Sequence, residues 1–316
     1  MRVLLHDTAS ELYLAELDRR FPSLRFEVCD SYEALPRAVA EFKPLAVLSH
    51  KFAGTPYPRE ALVESRDVRW VHVSGTGTDH LQPWDTGRVT VTNCAGFQAE
   101  AMAQFAFAGI LSLNAGLPRY ARQQAQRHWQ PEKARVLGKT LLVIGMGPIG
   151  RAVARLGRTL GLRVWGLRAH PAPAEGYEAV IGLDHLHEAL SHADYVVLTL
   201  PLTPATRGLI DARAVAAFNR DALFVNLARG GIVDEAALAE ALQAGRLRGA
   251  LLDVFAQEPL PPQSPFWGLD NVLVTPHASG LFEGWERAAA LLFAENLERF
   301  LAGRPLERVV DPRRGY

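Results

Sequence analysis

Short, continuously apolar runs recur along this chain, with segments of helical periodicity between them. The runs are Val3–Leu5, Leu45–Ser49, Trp70–Val73, Thr140–Ile144, Leu162–Gly166, Tyr195–Thr199, Leu223–Asn226, Ala250–Asp253 and Val272–Val274. A strand with one face in water alternates apolar and polar residues; a run without alternation is buried on both faces. Amphipathic helices fit between the runs at Ser10–Arg20, Tyr32–Phe42, Ile149–Leu160 and Glu235–Ala244. That order predicts an α/β fold with doubly wound parallel sheets.

At 316 residues the chain is about twice the usual domain size of roughly 150, so two domains are expected. A long helical stretch at 98–128, broken around Gly116-Leu117-Pro118, and a second at Gly284–Leu301 read as crossovers between two α/β halves. Lys+Arg and Asp+Glu number 34 each, and this neutrality argues against a nucleic-acid binder working by phosphate neutralisation. Cys29 and Cys94 form no paired metal or redox pattern and read as inert thiols of a reducing compartment. His185, His187 and His192 match no zinc spacing, so no metal is expected. The N-terminal stretch lacks a secretory pattern, and the longest apolar segment, Ala101–Leu113, is interrupted by Gln104 and Ser112. A cytoplasmic protein with no membrane partner is the expectation.

The strongest local signal is Gly145-Met146-Gly147-Pro148-Ile149-Gly150, which follows the run TLLVI and opens a helix. This is GxGxxG in the setting it needs. Gly145 permits the tight turn, Gly147 lets a pyrophosphate approach the backbone, and Gly150 lets helix and strand pack closely. The pyrophosphate then meets free N–H groups at the helix N-terminus. About 20 residues on, where an NAD site carries Asp or Glu for the ribose hydroxyl, stands Arg168. A guanidinium pairs with a 2′-phosphate and a carboxylate repels it, so NADP(H) is preferred, with NAD(H) admitted.

Three polar stations follow apolar runs: Arg229 after Asn226, Glu258 after Asp253, and His277 after Val274. Ligands of open α/β sheets bind beyond the carboxyl ends of strands, so the three can converge on one cleft. Together they suit reduction of a 2-oxo acid. The Arg grips the carboxylate, the His donates a proton to the carbonyl oxygen, and the Glu keeps the imidazole protonated and oriented.

The segments NLARGGIVDEAAL, LLDVFAQEPLPPQSPFW and NVLVTPHASG resemble the signatures of the D-2-hydroxyacid dehydrogenase family. VSGTGTDHL resembles that family's substrate-domain glycine turn, and VVDPRRGY the ending of its glyoxylate/hydroxypyruvate reductase-like branch. The resemblance covers essentially the whole chain, with the motifs in family order. It implies two Rossmann-like domains with parallel sheets: a substrate domain of 1–97 plus 284–316, and a dinucleotide-binding domain of 98–283 inserted into it. Arg229, Glu258 and His277 fall on catalytic positions, and Thr76, Gly77 and Arg229 on substrate-binding ones. Gly145, Gly147, Pro148, Ile149, Gly150, Arg168, Pro201, Thr206, Leu227, Ala228, Asp253, His277, Ser279 and Gly280 fall on the cofactor side, Asp253 near the nicotinamide amide. Gln104 stands where many members have Glu, and Arg168 where NAD-using members have Asp.

The activity so implied is NAD(P)H-dependent reduction of small 2-oxo acids to D-2-hydroxy acids, glyoxylate and hydroxypyruvate leading. A homodimer built on the helix at 98–116 is the family expectation. The specificity pocket is expected at Ser49-His50-Lys51-Phe52 and near Trp267 or Trp285. Alternatives are a 3-phosphoglycerate dehydrogenase-type enzyme and a non-catalytic nicotinamide-sensing protein of the same fold.

Overall fold

The computed structural model describes residues 1–50, 57–131, 133–134, 137–138 and 140–314. Lys51 and Phe52 of the expected specificity loop, Arg135, Val136 and Lys139 before the central glycine-rich motif, and Gly315 and Tyr316 of the C-terminal motif lie outside the described residues. The chain divides into two compact units, Met1–Phe97 with Phe282–Tyr316, and Gln98–Leu281. The second crossing falls between Leu281 and Phe282, two residues before the expected 283/284. The Phe282 ring packs edge-on against Phe97, 5.8 Å between centroids, which ties it to the first unit.

The first unit is a parallel sheet of β1 (Arg2–His6), β2 (Arg25–Cys29), β3 (Ala46–Ser49), β4 (Trp70–Val73) and β5 (Thr90–Asn93), in the order β2-β1-β3-β4-β5. Every residue of β3 and β4 is buried, as their unbroken apolar runs require. On one face α2 (Leu35–Phe42) and α3 (Glu60–Val63) cover Val47, Val71 and Val91. On the other, α1 (Leu14–Arg20) and the C-terminal helix Trp285–Leu301 cover Val3, Leu48 and Trp70. Trp70 stacks on Phe293 at 5.0 Å, and burying such a ring contributes about 1.5–3 kcal/mol. The expected helix Ser10–Arg20 is split. A 3₁₀ turn, Ser10–Leu12, precedes α1, because Tyr13 leaves helical geometry at φ −141° and its hydroxyl donates to buried Asp7 at 2.6 Å.

The second unit opens with α4 (Ala99–Ala115), ended by Gly116 at φ +73°, and α5 (Leu117–Ala125), bent 65° from it. Among the described residues no single helix is long and apolar enough to cross a membrane. The sheet comprises β6 (Thr140–Ile144), β7 (Arg163–Leu167), β8 (Ala179–Ile181), β9 (Tyr195–Leu198), β10 (Leu223–Asn226), β11 (Gly249–Leu252) and β12 (Val272–Val274). Its order is β12-β11-β10-β9-β6-β7-β8, all pairs parallel. One face is covered by α4 and α6 (Pro148–Thr159), the other by α7 (Leu186–His192), α8 (Ala212–Ala217) and α9 (Glu235–Gln243). Gly109 and Gly157 let α4 and α6 sit close to the sheet, since a Cβ there would come within 2.4 Å of Leu251 in β11 and 2.6 Å of Leu141 in β6. Asp211 and Asp234 cap α8 and α9 by accepting from Ala214 N and Ala237 N.

Three of the described strands are not among those runs: β2 (RFEVC) and β5 (TVTN) mix polar and apolar residues, and β8 (AVI) is only three residues long. Each is a sheet edge. An edge strand shows one flank to water, and Arg25 and Glu27 of β2 are residues such a position tolerates; the outer flank of β5 is instead covered by residues 308–310, Val310 N donating to Val91 O at 2.9 Å.

Candidate active site

The register of the second sheet places the candidate residues on one rim. Leu167, Ile144, Leu198, Asn226, Leu252 and Val274 are successive partners across the strands, so they form one row at the carboxyl ends. Gly145, Arg168, Pro201, Leu227–Arg229, Asp253–Glu258 and Thr275–His277 all lie just beyond that row. The strand order reverses between β6 and β9, the crevice where ligands of such sheets bind.

The loop after β6 is fastened to the loop after β9 there, Thr199 Oγ1 donating to Gly145 O at 2.8 Å. Gly145 has φ +103°, and a Cβ on it would stand 3.0 Å from Leu200 N and Thr199 C. A Cβ on Gly150 would meet Gly145 O at 1.9 Å. The protein itself therefore demands these two glycines. Gly147 is different. Its φ −71° and ψ −170° suit any residue, and a Cβ there would find nothing within 4 Å. The space it leaves lies at the N-terminus of α6, whose cap residue gives no side-chain hydrogen bond and whose Pro148 lacks an N–H that would be orphaned there anyway. The residues present thus fit a dinucleotide's pyrophosphate. Ile149 and Gly150 continue the first turn of α6.

Arg168 is exposed at the end of β7, its backbone N–H on Ile181 O at 3.1 Å. Thr206 holds its own loop, Oγ1 donating to Pro201 O at 2.6 Å and accepting from Thr203 N at 2.8 Å. Leu227 and Ala228 are buried, and Ala228 N donates to Asn226 Oδ1. Asn226 also donates to Arg229 O at 3.4 Å, so the last residue of β10 shapes the turn that presents Arg229. Arg229 is half-buried, with Nη1 donating to Ala228 O at 2.7 Å. Gly230 must be glycine because a Cβ would lie 1.9 Å from Phe255 C. The Arg229 turn and the Glu258 loop are thereby in backbone contact.

His277 Nδ1 and Glu258 Oε2 are 2.8 Å apart, and Glu258 Oε1 accepts from Phe255 N at 3.0 Å. With Nδ1 so engaged, Nε2 is the nitrogen free to exchange a proton. The His277 backbone stands at φ +53°, a left-handed conformation that costs an ordinary residue about 1–3 kcal/mol. Asp253 holds it there. This fully buried carboxylate accepts from Thr275 Oγ1 at 2.6 Å, Ala278 N at 2.8 Å and Ser279 N at 3.0 Å, and Asp253 O accepts from His277 N at 2.8 Å. Sequence reasoning placed Asp253 and Ser279 beside the cofactor and missed this bracing, whose one signal was an acid ending an apolar run. Gly280 meets Gln98, whose Nε2 donates to Gly280 O at 3.1 Å.

Thr76 and Gly77 stand in the first unit, in the loop after β4. There Asn93 Nδ2 donates to Thr76 O at 2.7 Å and Cys94 N to Gly75 O at 2.9 Å. Thr76 Oγ1 is buried with no hydrogen-bond partner among the described residues, a hydroxyl still available to a ligand. His50 accepts or donates at Ser74 Oγ, 2.8 Å, and its ring lies 5.0 Å from that of Trp285; Trp267 belongs to the other unit, exposed, with Nε1 on Pro261 O. No group of three metal-ligating side chains occurs among the described residues.

Residues 107–279 match the family model described as D-isomer specific 2-hydroxyacid dehydrogenase, NAD binding domain. A D-3-phosphoglycerate dehydrogenase of Methanocaldococcus jannaschii is 31% identical over 268 residues, 82% of this chain, and the match spans only 50% of that relative's length. A glyoxylate reductase of Korarchaeum cryptofilum is 34% identical over 259 residues, 78% of this chain and 77% of its own. A D-isomer specific 2-hydroxyacid dehydrogenase of Xanthobacter autotrophicus, solved in complex with NADPH and MES, superposes with a TM-score of 0.82 at 31% identity, covering 100% of this chain and 99% of that one. With its glycine cradle, its row of polar stations and these matches, the chain belongs to the D-isomer specific 2-hydroxyacid dehydrogenase family.

Proposed function

We propose that the protein is an NADPH-preferring reductase of small 2-oxo acids, with glyoxylate and hydroxypyruvate as the leading substrates. The observation that carries this reading is the Glu258–His277 pair at 2.8 Å, on the same rim as Arg229 and the glycine cradle. The nicotinamide cofactor, when bound, supplies the hydride. The chain's own groups do the rest. The Arg229 guanidinium binds the substrate carboxylate and polarises the carbonyl beside it. His277 gives a proton from Nε2 to the carbonyl oxygen as charge develops there. Glu258 fixes the ring through Nδ1, and Asp253 fixes the backbone that carries it. Support for NADPH comes from Arg168, exposed where an NAD site carries an acid, and from the NADPH complex of the Xanthobacter relative.

The test is a panel of 2-oxo acids, one of them phosphorylated, assayed with NADPH and NADH on the native chain and Arg168→Asp. An Arg–phosphate contact of about 1.5–3 kcal/mol gives roughly a 10- to 150-fold NADPH preference in kcat/KM, reversed in the variant. Equal efficiency with both cofactors removes Arg168 from the site. Fast turnover of the phosphorylated acid alone favours the phosphoglycerate-type reading, and cofactor binding without turnover favours a sensor.

A further inference from the structure

The Glu258 loop is held from a direction that the proposed chemistry does not use. Glu235, the first residue of α9, turns its carboxylate away from its own helix, and Oε1 accepts from Ala256 N at 2.6 Å. Its helix has a firm base, since Asp234 caps it by accepting from Ala237 N at 3.0 Å. The same stretch, residues 255–256, lies in backbone contact with Gly230, one residue past Arg229. Between Arg229 and Glu258, chain and contacts therefore form a closed ring: the 230–234 turn, Glu235, the Ala256 peptide and back to Gly230. Burial, together with the Glu258 charge, pushes the Glu235 carboxyl above the usual carboxylate range. Glu235 is half-buried.

We propose that Glu235 is a positioning residue: by clamping the Ala256 peptide it holds the Glu258 carboxylate against His277 and ties that loop to the Arg229 turn. The inference rests on the reductase reading above. A peptide N–H held by a carboxylate makes a charge-assisted bond of the stronger class, and a displacement of about 1 Å at a reacting pair costs about 10²-fold in rate.

The experiment compares Glu235→Ala and Glu235→Gln, with Glu258→Gln as reference, by kcat with glyoxylate, NADPH Kd, and amide hydrogen exchange at Ala256. Glu235→Ala should lose about 10- to 100-fold in kcat with unchanged NADPH Kd, while the Ala256 amide exchanges faster. Glu235→Gln keeps an oxygen acceptor and should restore both the protection and most of the kcat. Glu235→Met has similar length and no strong acceptor, and should repeat the loss in a chain that fills the same space. Native kcat in the Ala and Met variants, or a Gln variant as slow as they are, overturns the clamp. Native turnover in Glu258→Gln instead overturns the reading of the catalytic pair itself.

Discussion

Replacing Gly147 by alanine separates the needs of the fold from the needs of a ligand. The added Cβ meets no protein atom within 4 Å, and the backbone at φ −71°, ψ −170° is one alanine adopts without strain. Two small effects on stability oppose each other. Alanine lowers the entropy of the unfolded chain, worth about 0.4–1 kcal/mol, and is a poorer helix N-cap than glycine by a similar amount. The net change should be within about 0.5 kcal/mol of zero. Cofactor affinity should respond differently, because the methyl group stands over the N-terminus of α6, where the pyrophosphate must approach the backbone. Losing one charge-assisted hydrogen bond of about 1.5–3 kcal/mol weakens NADPH Kd by roughly 10- to 150-fold. Gly150→Ala is the counterpart, since its Cβ would lie 1.9 Å from Gly145 O and the strand–helix turn must open. There stability itself should fall, by about 1–3 kcal/mol. Fluorescence titration of NADPH beside thermal unfolding reads both quantities. A Gly147→Ala protein with native Kd, or one losing stability as Gly150→Ala does, refutes the placement of the dinucleotide.

Arg229→Lys keeps the charge and loses the two-pronged donor, so kcat and oxo-acid affinity should both fall, by about 2–4 kcal/mol in kcat/KM, with NADPH Kd unchanged. Equal loss toward cofactor and substrate would instead mark Arg229 as a brace for its loop. Acid should unfold the first unit through His72 and His6, which burial holds neutral, with pKa values lowered from 6.5 to about 3 and about 4. The unfolded chain takes up those protons below about pH 6.5 and the folded chain does not. Stability is therefore complete above that pH and declines as pH falls toward 4, by up to about 2 kcal/mol per histidine between 6.5 and 5. Urea unfolding at pH 7.5 and 5 checks this, and a flat or rising stability contradicts it.

The central strands were legible because burial on both faces leaves no room for alternation: β4, β6 and β10 start and end where their apolar runs do, as does the short edge strand β12. The edges β2, β5 and β8 were not, since RFEVC and TVTN mix polar and apolar residues and AVI is only three residues long. Helix interiors were legible and entries less so. Tyr13 breaks the first helix through a hydrogen bond to Asp7 that no periodicity reports. In the site, the residues that meet small molecules show themselves by type and by following a strand. Those that hold them do not. Asp253 binds a loop 22–26 residues away, Glu235 one 21 residues away, and Gly230 matters through a backbone contact visible only in three dimensions.

The central claim is that His277 donates the proton during reduction of a 2-oxo acid. Single-turnover oxidation of NADPH by saturating glyoxylate, followed in the native chain and in His277→Ala, tests it most directly. NADPH Kd should be the same in both, and the variant should react about 10²-fold more slowly or worse. An unchanged rate in His277→Ala, or no NADPH oxidation by the native chain with any 2-oxo acid, contradicts the account.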